Sequence, residues 1–295
     1  MIMANPDYLW SVPQANTSPR FPRVRACLFD MDGLILDTED LYTYCNNNIL
    51  REYGKPNLPW KIKAQLQGRP GPEAAEIFHA WAQLPLSRST FTQKQAALQA
   101  QIFPLCQPLP GVPLLLKSLK RAPDLHLALA TSSHAKNFKL KTSDKHHLFS
   151  AFPQAQRVLG DDPRIPAGRG KPAPDIYLLA LETINKRLRA NGEEEITPAE
   201  CLVFEDSVPG VEAGRRAGMR VVWCPHPELL NLYQGREREV LAGIGNGADE
   251  EVDDALEVAG ARTCGRGAAR RLDDGWAVMV KTLEDFDYGR YGIDI

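Results

Sequence analysis

Three short apolar runs that each end abruptly in carboxylates or hydroxyls constrain the fold of this chain more than any other feature. They are VRACLFDMDG at 24–33, LHLALATSS at 125–133 and CLVFEDS at 201–207. Each is typical of a buried strand that breaks into a loop, because a short apolar run bounded by turn residues indicates a strand inside a sheet. Two further runs, QRVLGDD at 156–162 and MRVVWCP at 219–225, also predict strands.

Helical patterns separate these runs at 112–122, 173–190 and 210–218. The second pattern has a proline and an aspartate at its start, and its apolar residues recur at helical spacing. Strands that alternate with helices indicate βαβ units, so the fold class we predict is α/β with a Rossmann-like parallel sheet core. Ligands bind at the carboxyl ends of the strands in such sheets, so the three polar strand ends are expected to face one crevice.

A second unit is predicted inside the first. Residues 38–108 contain helical patterns and no strand-like run, and they lie between the first two strands, so we expect an inserted small helical cap domain. The core domain is then discontinuous and consists of residues 24–37 and 109–295. The proline-rich residues 1–23 predict an irregular tail. Residues 235–275 are rich in Gly, Ala and charge, which predicts a flexible insertion in the core.

The composition excludes several classes of protein. A chain of 295 residues with 43% hydrophobic and 24% charged residues is typical of a globular protein. Its net charge is -2, so the chain does not have the global basic excess of nucleic-acid-binding proteins. No apolar run approaches the ~18 residues of a membrane span. The first residues do not resemble a secretory signal, and the six cysteines form no C-x-x-C pair, so we expect a reducing, cytoplasmic location. We expect a monomer, with a homodimer as the alternative.

A pair of carboxylates follows the first strand. Asp30 and Asp32 lie two residues apart, and side chains at that spacing on an extended chain point to the same side. Two such carboxylates can bind a hard cation or divide into a nucleophile and a general acid. Gly33 allows the sharp turn that follows them. A solvated acidic turn is the alternative for an isolated D-x-D-G.

The other strand ends carry groups that suit a phosphate and a metal ion. Thr131 and Ser132 offer hydroxyls and backbone N–H groups at a helix entrance, although such residues also serve as ordinary helix caps. Lys171 can neutralise a phosphate or a carboxylate, and a solvated surface lysine is its alternative. Glu205 and Asp206 follow a buried strand, where a carboxylate is costly unless it is paired or bound to metal. Together these groups predict a phosphoryl-transfer site that uses Mg²⁺.

Four segments of the chain resemble, in order and spacing, the motifs of the haloacid-dehalogenase-like (HAD) phosphatases. The segments are LFDMDGLILDTE, LALATSS, GRGKPAPDIY and VFEDSVPGVEAGRRAGM. The resemblance covers Val24 to Pro227 and resumes near Gly275. Within the superfamily the chain most resembles the subgroup of pseudouridine-5′-phosphatases and related capped enzymes. Its substrate is therefore expected to be a small phosphorylated metabolite, a nucleoside or a sugar or polyol monophosphate.

The resemblance implies a role for each residue at the strand ends. Asp30 matches the nucleophile that forms an aspartyl-phosphate, and Asp32 matches the general acid and base. Asp206 matches a Mg²⁺ ligand that acts with Asp30 and the backbone carbonyl of Asp32. Glu205 matches either an auxiliary ligand or a supporting residue behind the metal site.

The resemblance also assigns the phosphate contacts and directs attention to the cap. Thr131 and the N–H of Ser132 would hold phosphate oxygens, and Lys171 would bridge the phosphate and the nucleophile. Residues of the cap are expected to select the substrate, and the candidates are Tyr42, Asn46 and Arg69. The first two lie four residues apart and share a helix face, with plain helix surface as their alternative.

Two other functions stay open on the same fold. A phosphosugar mutase of the β-phosphoglucomutase type carries a histidine in its first cap helix, where this chain has Tyr42, and a lysine before Gly68, where it has Gln67. Both departures weaken the mutase interpretation. A non-catalytic binding protein would be expected to have lost a carboxylate of the site, whereas Asp30 and Asp206 are both present.

Overall fold

The computed structural model describes residues 21–245 and 271–295 of the chain. Within these residues, one parallel sheet has the strand order β3-β2-β1-β4-β5-β6. The strands are β1 Ala26–Phe29, β2 His126–Ala130, β3 Arg157–Val158, β4 Cys201–Glu205, β5 Arg220–Trp223 and β6 Ala277–Met279. This architecture confirms the predicted α/β class.

The register of the central strands aligns their carboxyl ends. Phe29 at the end of β1 pairs with Leu129 of β2 on one side and with Phe204 of β4 on the other. The hydrogen-bond ladder continues into the strand ends, where the N–H of Asp30 donates to the carbonyl of Phe204 at 3.0 Å. The residues that follow these three strands therefore meet at one edge of the sheet, as predicted.

Helices cover both faces of the sheet. They are α5 Val112–Leu119, α6 Ala135–Thr142, α7 His146–Phe149, α8 Asp175–Asn191, α9 Val208–Arg216, α10 Pro227–Leu232 and α11 Glu237–Ala242. Successive strand residues point to opposite layers, so Phe29 packs in one apolar cluster with Leu115, whereas Leu28 packs in the other with Ile176. Burial on both faces explains why the strands read as continuous apolar runs.

The chain between β1 and β2 forms a helical unit, called the cap below. Its helices are α1 Glu39–Glu52, α2 Trp60–Leu66, α3 Gly71–Ala82 and α4 Arg88–Ile102. The cap has its own apolar cluster, which includes Ile49, Phe78 and Phe91. Its two connections to the sheet run side by side, because the N–H of Asp37 donates to the carbonyl of Gln107 at 2.8 Å.

The structure corrects one boundary. Helix α11 lies inside the segment expected to be a flexible insertion, yet Val240 and Ala242 are buried. Residues 237–242 therefore pack with the core. The rest of that segment between 246 and 270, like the tail 1–20, lies outside the described residues. Across the described ranges, no helix is both long enough and apolar enough to cross a membrane.

Candidate active site

Asp30 is the first residue after β1, and its carboxylate is almost completely enclosed. Oδ1 of Asp30 accepts a hydrogen bond from Nζ of Lys171 at 2.5 Å. Burial raises the pKa of Asp30 to about 7, and the positive charge of Lys171 opposes that shift. The charges of Glu205 and Asp32 act in the same direction as burial. Lys171 is therefore the positive charge that counteracts burial at this carboxylate.

Lys171 lies in the loop before α8 and is completely buried. Its ammonium donates to Oδ1 of Asp30 at 2.5 Å, to Oε1 of Glu205 at 2.6 Å and to the carbonyl of Ala130 at 3.3 Å. Burial acts to lower the pKa of Lys171, but the two carboxylates hold it above its ordinary value. The lysine is thus a buried positive charge between the carboxylates of Asp30 and Glu205, and not a solvated surface residue.

Glu205 at the end of β4 has both oxygens engaged. Oε1 accepts from Lys171 and from the hydroxyl of Tyr177, each at 2.6 Å. Oε2 accepts from the N–H of Asp206 and from the N–H and hydroxyl of Ser207, each at 3.0 Å. A carboxylate with five donors has little capacity left for a metal ion. Of the two expectations for Glu205, the contacts favour the supporting residue over the metal ligand.

Asp32 lies on the same strand end and is more open, with 17% of its side chain exposed. Its Oδ1 accepts from the hydroxyl of Thr38 at 2.7 Å and from Nζ of Lys141 at 2.5 Å. Gly33 follows with a φ of 77°, in the left-handed region that favours glycine. The turn places Asp32 beside Asp30. The two carboxylates have different hydrogen-bond partners, so they are chemically distinct.

Asp206 supplies a third carboxylate to the same edge. It is buried, and its Oδ2 accepts one hydrogen bond, from Nε2 of Gln67 in the cap at 2.6 Å. Burial, with the charges of Glu205 and Glu39, raises the pKa of Asp206 well above its ordinary value. A Cβ on Gly33 would lie 2.2 Å from the same Oδ2, so only glycine lets this carboxylate pack on the turn.

The oxygen atoms at this edge of the sheet suit a hard cation. Oε1 of Gln67 is buried beside Asp206 and has no hydrogen-bond partner among the described residues. Those residues contain no group of three or more His, Cys, Asp or Glu side chains placed to hold a metal ion. The ligand set implied by the motifs does not need three such side chains. It combines two carboxylates, those of Asp30 and Asp206, with the backbone carbonyl of Asp32. Such an all-oxygen set is what Mg²⁺ prefers.

The hydroxyls predicted to bind phosphate follow β2. Thr131 is buried, and its Oγ1 accepts from the N–H of Ser133 at 3.1 Å. Oγ of Ser132 donates to the carbonyl of Gly68 at 2.9 Å, so the cap turn lies directly over this loop. The loop leads into α6, and the N–H of Ala135 at the start of that helix donates to Oδ1 of Asp161 at 3.0 Å.

The three cap candidates have different surroundings. Tyr42 reaches the site, where its hydroxyl accepts from Nζ of Lys141 at 2.7 Å, and burial raises its pKa to about 12. Asn46 instead accepts a hydrogen bond from Gln95 of the neighbouring helix at 2.9 Å. Arg69 donates to the carbonyl of Gln65 at 2.9 Å. The structure thus brings Tyr42 to the carboxylates, while Asn46 and Arg69 contact other cap residues.

Sequence patterns do not identify two residues of the site, Lys141 and Gln67. Lys141 stands in the lysine-rich helix α6, where it resembles the exposed Lys136 and Lys139. In the sequence, Gln67 stands at the position where a phosphosugar mutase would have a lysine. Both residues reach the carboxylates from chain segments far away in sequence, so no local pattern distinguishes them.

Comparison with known proteins agrees with this geometry. A family model described as haloacid dehalogenase-like hydrolase matches residues 24–218. A probable pseudouridine-5′-phosphatase of Saccharomyces cerevisiae is 44% identical over 222 residues, which cover 75% of this chain and 91% of the yeast protein. The (DL)-glycerol-3-phosphatase 1 of Arabidopsis thaliana is 35% identical over 219 residues, covering 74% and 69% respectively. The crystal structure of CbbY from Rhodobacter sphaeroides with phosphate shares the fold, with a TM-score of 0.55, 23% identity, and coverage of 70% of this chain and 88% of CbbY.

Proposed function

The chain belongs to the haloacid dehalogenase-like hydrolases and is a phosphatase of small phosphorylated metabolites, and we propose that it works with Mg²⁺ through a phosphorylated Asp30. The observation that carries this mechanism is the enclosed pair of Asp30 and Lys171, whose polar atoms lie 2.5 Å apart. A buried carboxylate held beside a fixed ammonium can attack an electrophile that brings negative charge into the site. The open carboxylate of Asp32, on the same strand end, is placed to move the proton.

The reaction proceeds in two steps. A carboxylate oxygen of Asp30 bonds to phosphorus while the bond to the ester oxygen breaks, and that oxygen takes a proton from Asp32. Asp32 then removes a proton from water as the water oxygen bonds to phosphorus and the bond to Asp30 breaks. Free phosphate leaves, and both carboxylates return to their starting state.

Lys171 orients the nucleophile and balances charge. It occupies Oδ1 of Asp30, which leaves Oδ2 for the attack. It also holds Glu205, whose five hydrogen bonds fix the strand end on which Asp206 sits. We assign Thr131 and the N–H of Ser132 to the phosphate oxygens, because they stand at the N-terminal entrance of α6.

Mg²⁺ is the cofactor that we propose for the site. Asp30, Asp206 and the backbone carbonyl of Asp32 would hold it, and it would neutralise the charge of the phosphoryl group during transfer. The contacts of Asp206 support this assignment, since its carboxylate is buried at the site and accepts one hydrogen bond, on Oδ2, from Gln67. Glu205 supports the site through its hydrogen bonds.

The names of the relatives support a nucleoside, sugar or polyol monophosphate as the substrate. We propose pseudouridine 5′-phosphate and glycerol 3-phosphate as the first compounds to examine. Tyr42 is the cap residue best placed to contact the leaving group, because it lies beside the partner of Asp32. Asn46 and Arg69 would influence the substrate only through the packing of the cap.

The cap, residues 38–108, is proposed to be a domain nested in a core of 24–37 and 109–295. Its tip contacts the core through Gln67, which donates to Asp206, so the closed cap covers the carboxylates. Substrate entry then requires the cap to swing about its two adjacent connections. A reducing, cytoplasmic setting and a monomeric state also stay predictions, and the five described cysteines, all buried free thiols, are compatible with that setting.

A panel of sugar, polyol and nucleoside monophosphates tests the proposal. We expect phosphate release from at least one compound with Mg²⁺, no release with a chelator, and none by Asp30→Asn. Interconversion of hexose phosphates without net release would favour the mutase. A wild-type protein that releases no phosphate under any condition would favour the non-catalytic alternative.

A further inference from the structure

Lys141 is a completely buried lysine beside Asp32, and none of the motifs includes it. It lies on α6, in the core, and its Nζ donates to Oδ1 of Asp32 at 2.5 Å. The same nitrogen donates to the hydroxyl of Tyr42 at 2.7 Å and to Oγ of Ser133 at 3.1 Å. All three N–H groups of this ammonium therefore have an acceptor. The acceptors lie at the end of β1, in the cap and in the core loop that follows β2.

The surroundings of Lys141 separate it from water. Its ammonium lies 4.6 Å from the ring centroid of Tyr42 and 4.7 Å from that of Phe103. Its backbone carbonyl accepts from the thiol of Cys106 at 3.5 Å. A buried ammonium is costly unless it is paired, so this arrangement is stable only with an acceptor such as the carboxylate of Asp32 in place.

The pairing makes the two oxygens of Asp32 unequal. Oδ1 accepts from both Lys141 and the hydroxyl of Thr38, the latter at 2.7 Å. Within the described part of the chain, no group donates to Oδ2. The carboxylate is partly exposed, so Oδ2 is the oxygen that can meet the ester oxygen of a substrate.

We infer that Lys141 is a positioning residue that fixes Oδ1 of Asp32, so that Oδ2 carries the proton in both steps of the reaction. The inference rests on the proposed function, because it concerns the proton that the leaving group needs. Oδ2–H gives its proton to the ester oxygen as the phosphorus–oxygen bond breaks, and Oδ2 later takes a proton from water. Lys141 keeps its own proton throughout. Because Tyr42 belongs to the cap, the arrangement is complete only when the cap is closed.

The leaving group distinguishes this role from a merely structural one. Glycerol 3-phosphate releases an alkoxide unless the oxygen is protonated, whereas 2,4-dinitrophenyl phosphate releases a stable phenolate without help. General acid catalysis contributes about 10²–10⁴-fold to a step that needs it. Loss of Lys141 should therefore lower kcat/KM for the alkyl ester about 100-fold or more, and change it for the dinitrophenyl ester by less than about 5-fold.

The experiment compares kcat/KM for both esters in wild type, Lys141→Met and Lys145→Met. Lys145 is the matched control, since it is also a buried lysine but donates to Asp144 and to the carbonyl of Pro104, away from Asp32. We expect the leaving-group-dependent loss only in Lys141→Met, with no further loss when it is added to Asp32→Asn. Because kcat/KM ends at the first irreversible step, the later attack of water does not enter it.

The possible results separate the two hypotheses. An equal loss on both esters, or no loss on either, in Lys141→Met would overturn the inference while the wild type still turns over. A wild type that hydrolyses neither ester would overturn the proposed function instead. If Lys141→Met does not fold, the same ratio is measured for Lys141→Gln, which keeps a polar side chain in the buried position. An unchanged ratio in that variant would also overturn the inference.

Discussion

Nζ of Lys171 lies 2.5 Å from Oδ1 of Asp30, inside a part of the protein from which water is almost excluded. The neighbouring carboxylate, Asp32, has an ammonium of its own at the same distance, that of Lys141. The two carboxylates at the end of β1 are therefore each held by a separate buried lysine. This division of partners gives one oxygen of each carboxylate a fixed position and leaves the other for chemistry.

Replacing Lys171 by Met should both inactivate and destabilise the protein. The change leaves the carboxylates of Asp30 and Glu205 buried without their cation, and breaking a buried ion pair from one side costs about 3–5 kcal/mol. The free energy of unfolding in urea measures the loss. Lys94→Met is the control, because Nζ of Lys94 lies 2.6 Å from Glu52 on the exposed surface and should matter little. Equal losses in the two variants would contradict the account of the site.

Gly210→Ala should destabilise the protein, although alanine usually stabilises a helix relative to glycine. Gly210 lies in α9, and a Cβ there would be 1.8 Å from Oε1 of Glu205. Overpacking of this kind costs about 1–3 kcal/mol, and the displaced carboxylate would also disturb Lys171. Gly71→Ala in α3 is the control, since a Cβ at that position meets nothing within 4 Å. Thermal unfolding of both variants should show shifts of opposite sign.

Asp206→Asn should remove the response to Mg²⁺ and leave the metal-free fold intact. Asparagine retains an oxygen acceptor for Gln67 but loses a buried charge, so we expect the metal-free variant to be at least as stable as wild type. A ligand present at about 100 times its Kd stabilises a protein by about 2.7 kcal/mol. A rise of the unfolding temperature with Mg²⁺ is thus expected in wild type and not in the variant. Asp144→Asn, on the surface, should behave as wild type does.

His126 should make the protein less stable in mild acid. Its imidazole is half-buried at the start of β2, and Nδ1 lies 2.5 Å from the guanidinium of Arg187. Burial and that positive charge lower the pKa of His126 from 6.5. Just below that pH the unfolded chain binds the proton and the folded one does not, so stability falls as the pH falls through this window.

His126→Asn removes this proton uptake and keeps an acceptor for Arg187. We expect the urea midpoint of the variant to fall less than that of wild type between about pH 7.5 and about pH 5.5. The exposed His147→Asn should retain the full acid dependence of wild type. An identical pH dependence of wild type and His126→Asn would rule out this source of acid sensitivity.

The strands and the polar residues at their ends could be predicted because the residues that determine them are adjacent in the sequence. The run ACLF in β1 is apolar at every position, which a strand requires when both of its faces are buried. The residue after it must then leave the apolar layer, so Asp30 at that position indicates a site. The same reasoning led to Glu205, the last residue of β4, and to Asp206, which follows it.

Contacts between distant segments could not be predicted in this way. Lys141 meets Tyr42 across 99 residues of sequence, and Gln67 meets Asp206 across 139. Their positions depend on how the cap docks on the core, and one sequence carries no signal for that docking. The burial of Val240 in helix α11 is a further example, since the Gly, Ala and charge-rich sequence around it indicates an exposed segment.

The central claim is that Asp30 carries the phosphoryl group, and trapping that group tests it most directly. The protein is mixed with glycerol 3-phosphate and Mg²⁺, quenched in acid during turnover and reduced with borohydride, which converts an acyl-phosphate of aspartate into homoserine. Peptide mass spectrometry should find homoserine at position 30, only when substrate was present, and none in Asp30→Asn. Steady phosphate release with an unmodified Asp30, or with the mark on another residue, would contradict the mechanism.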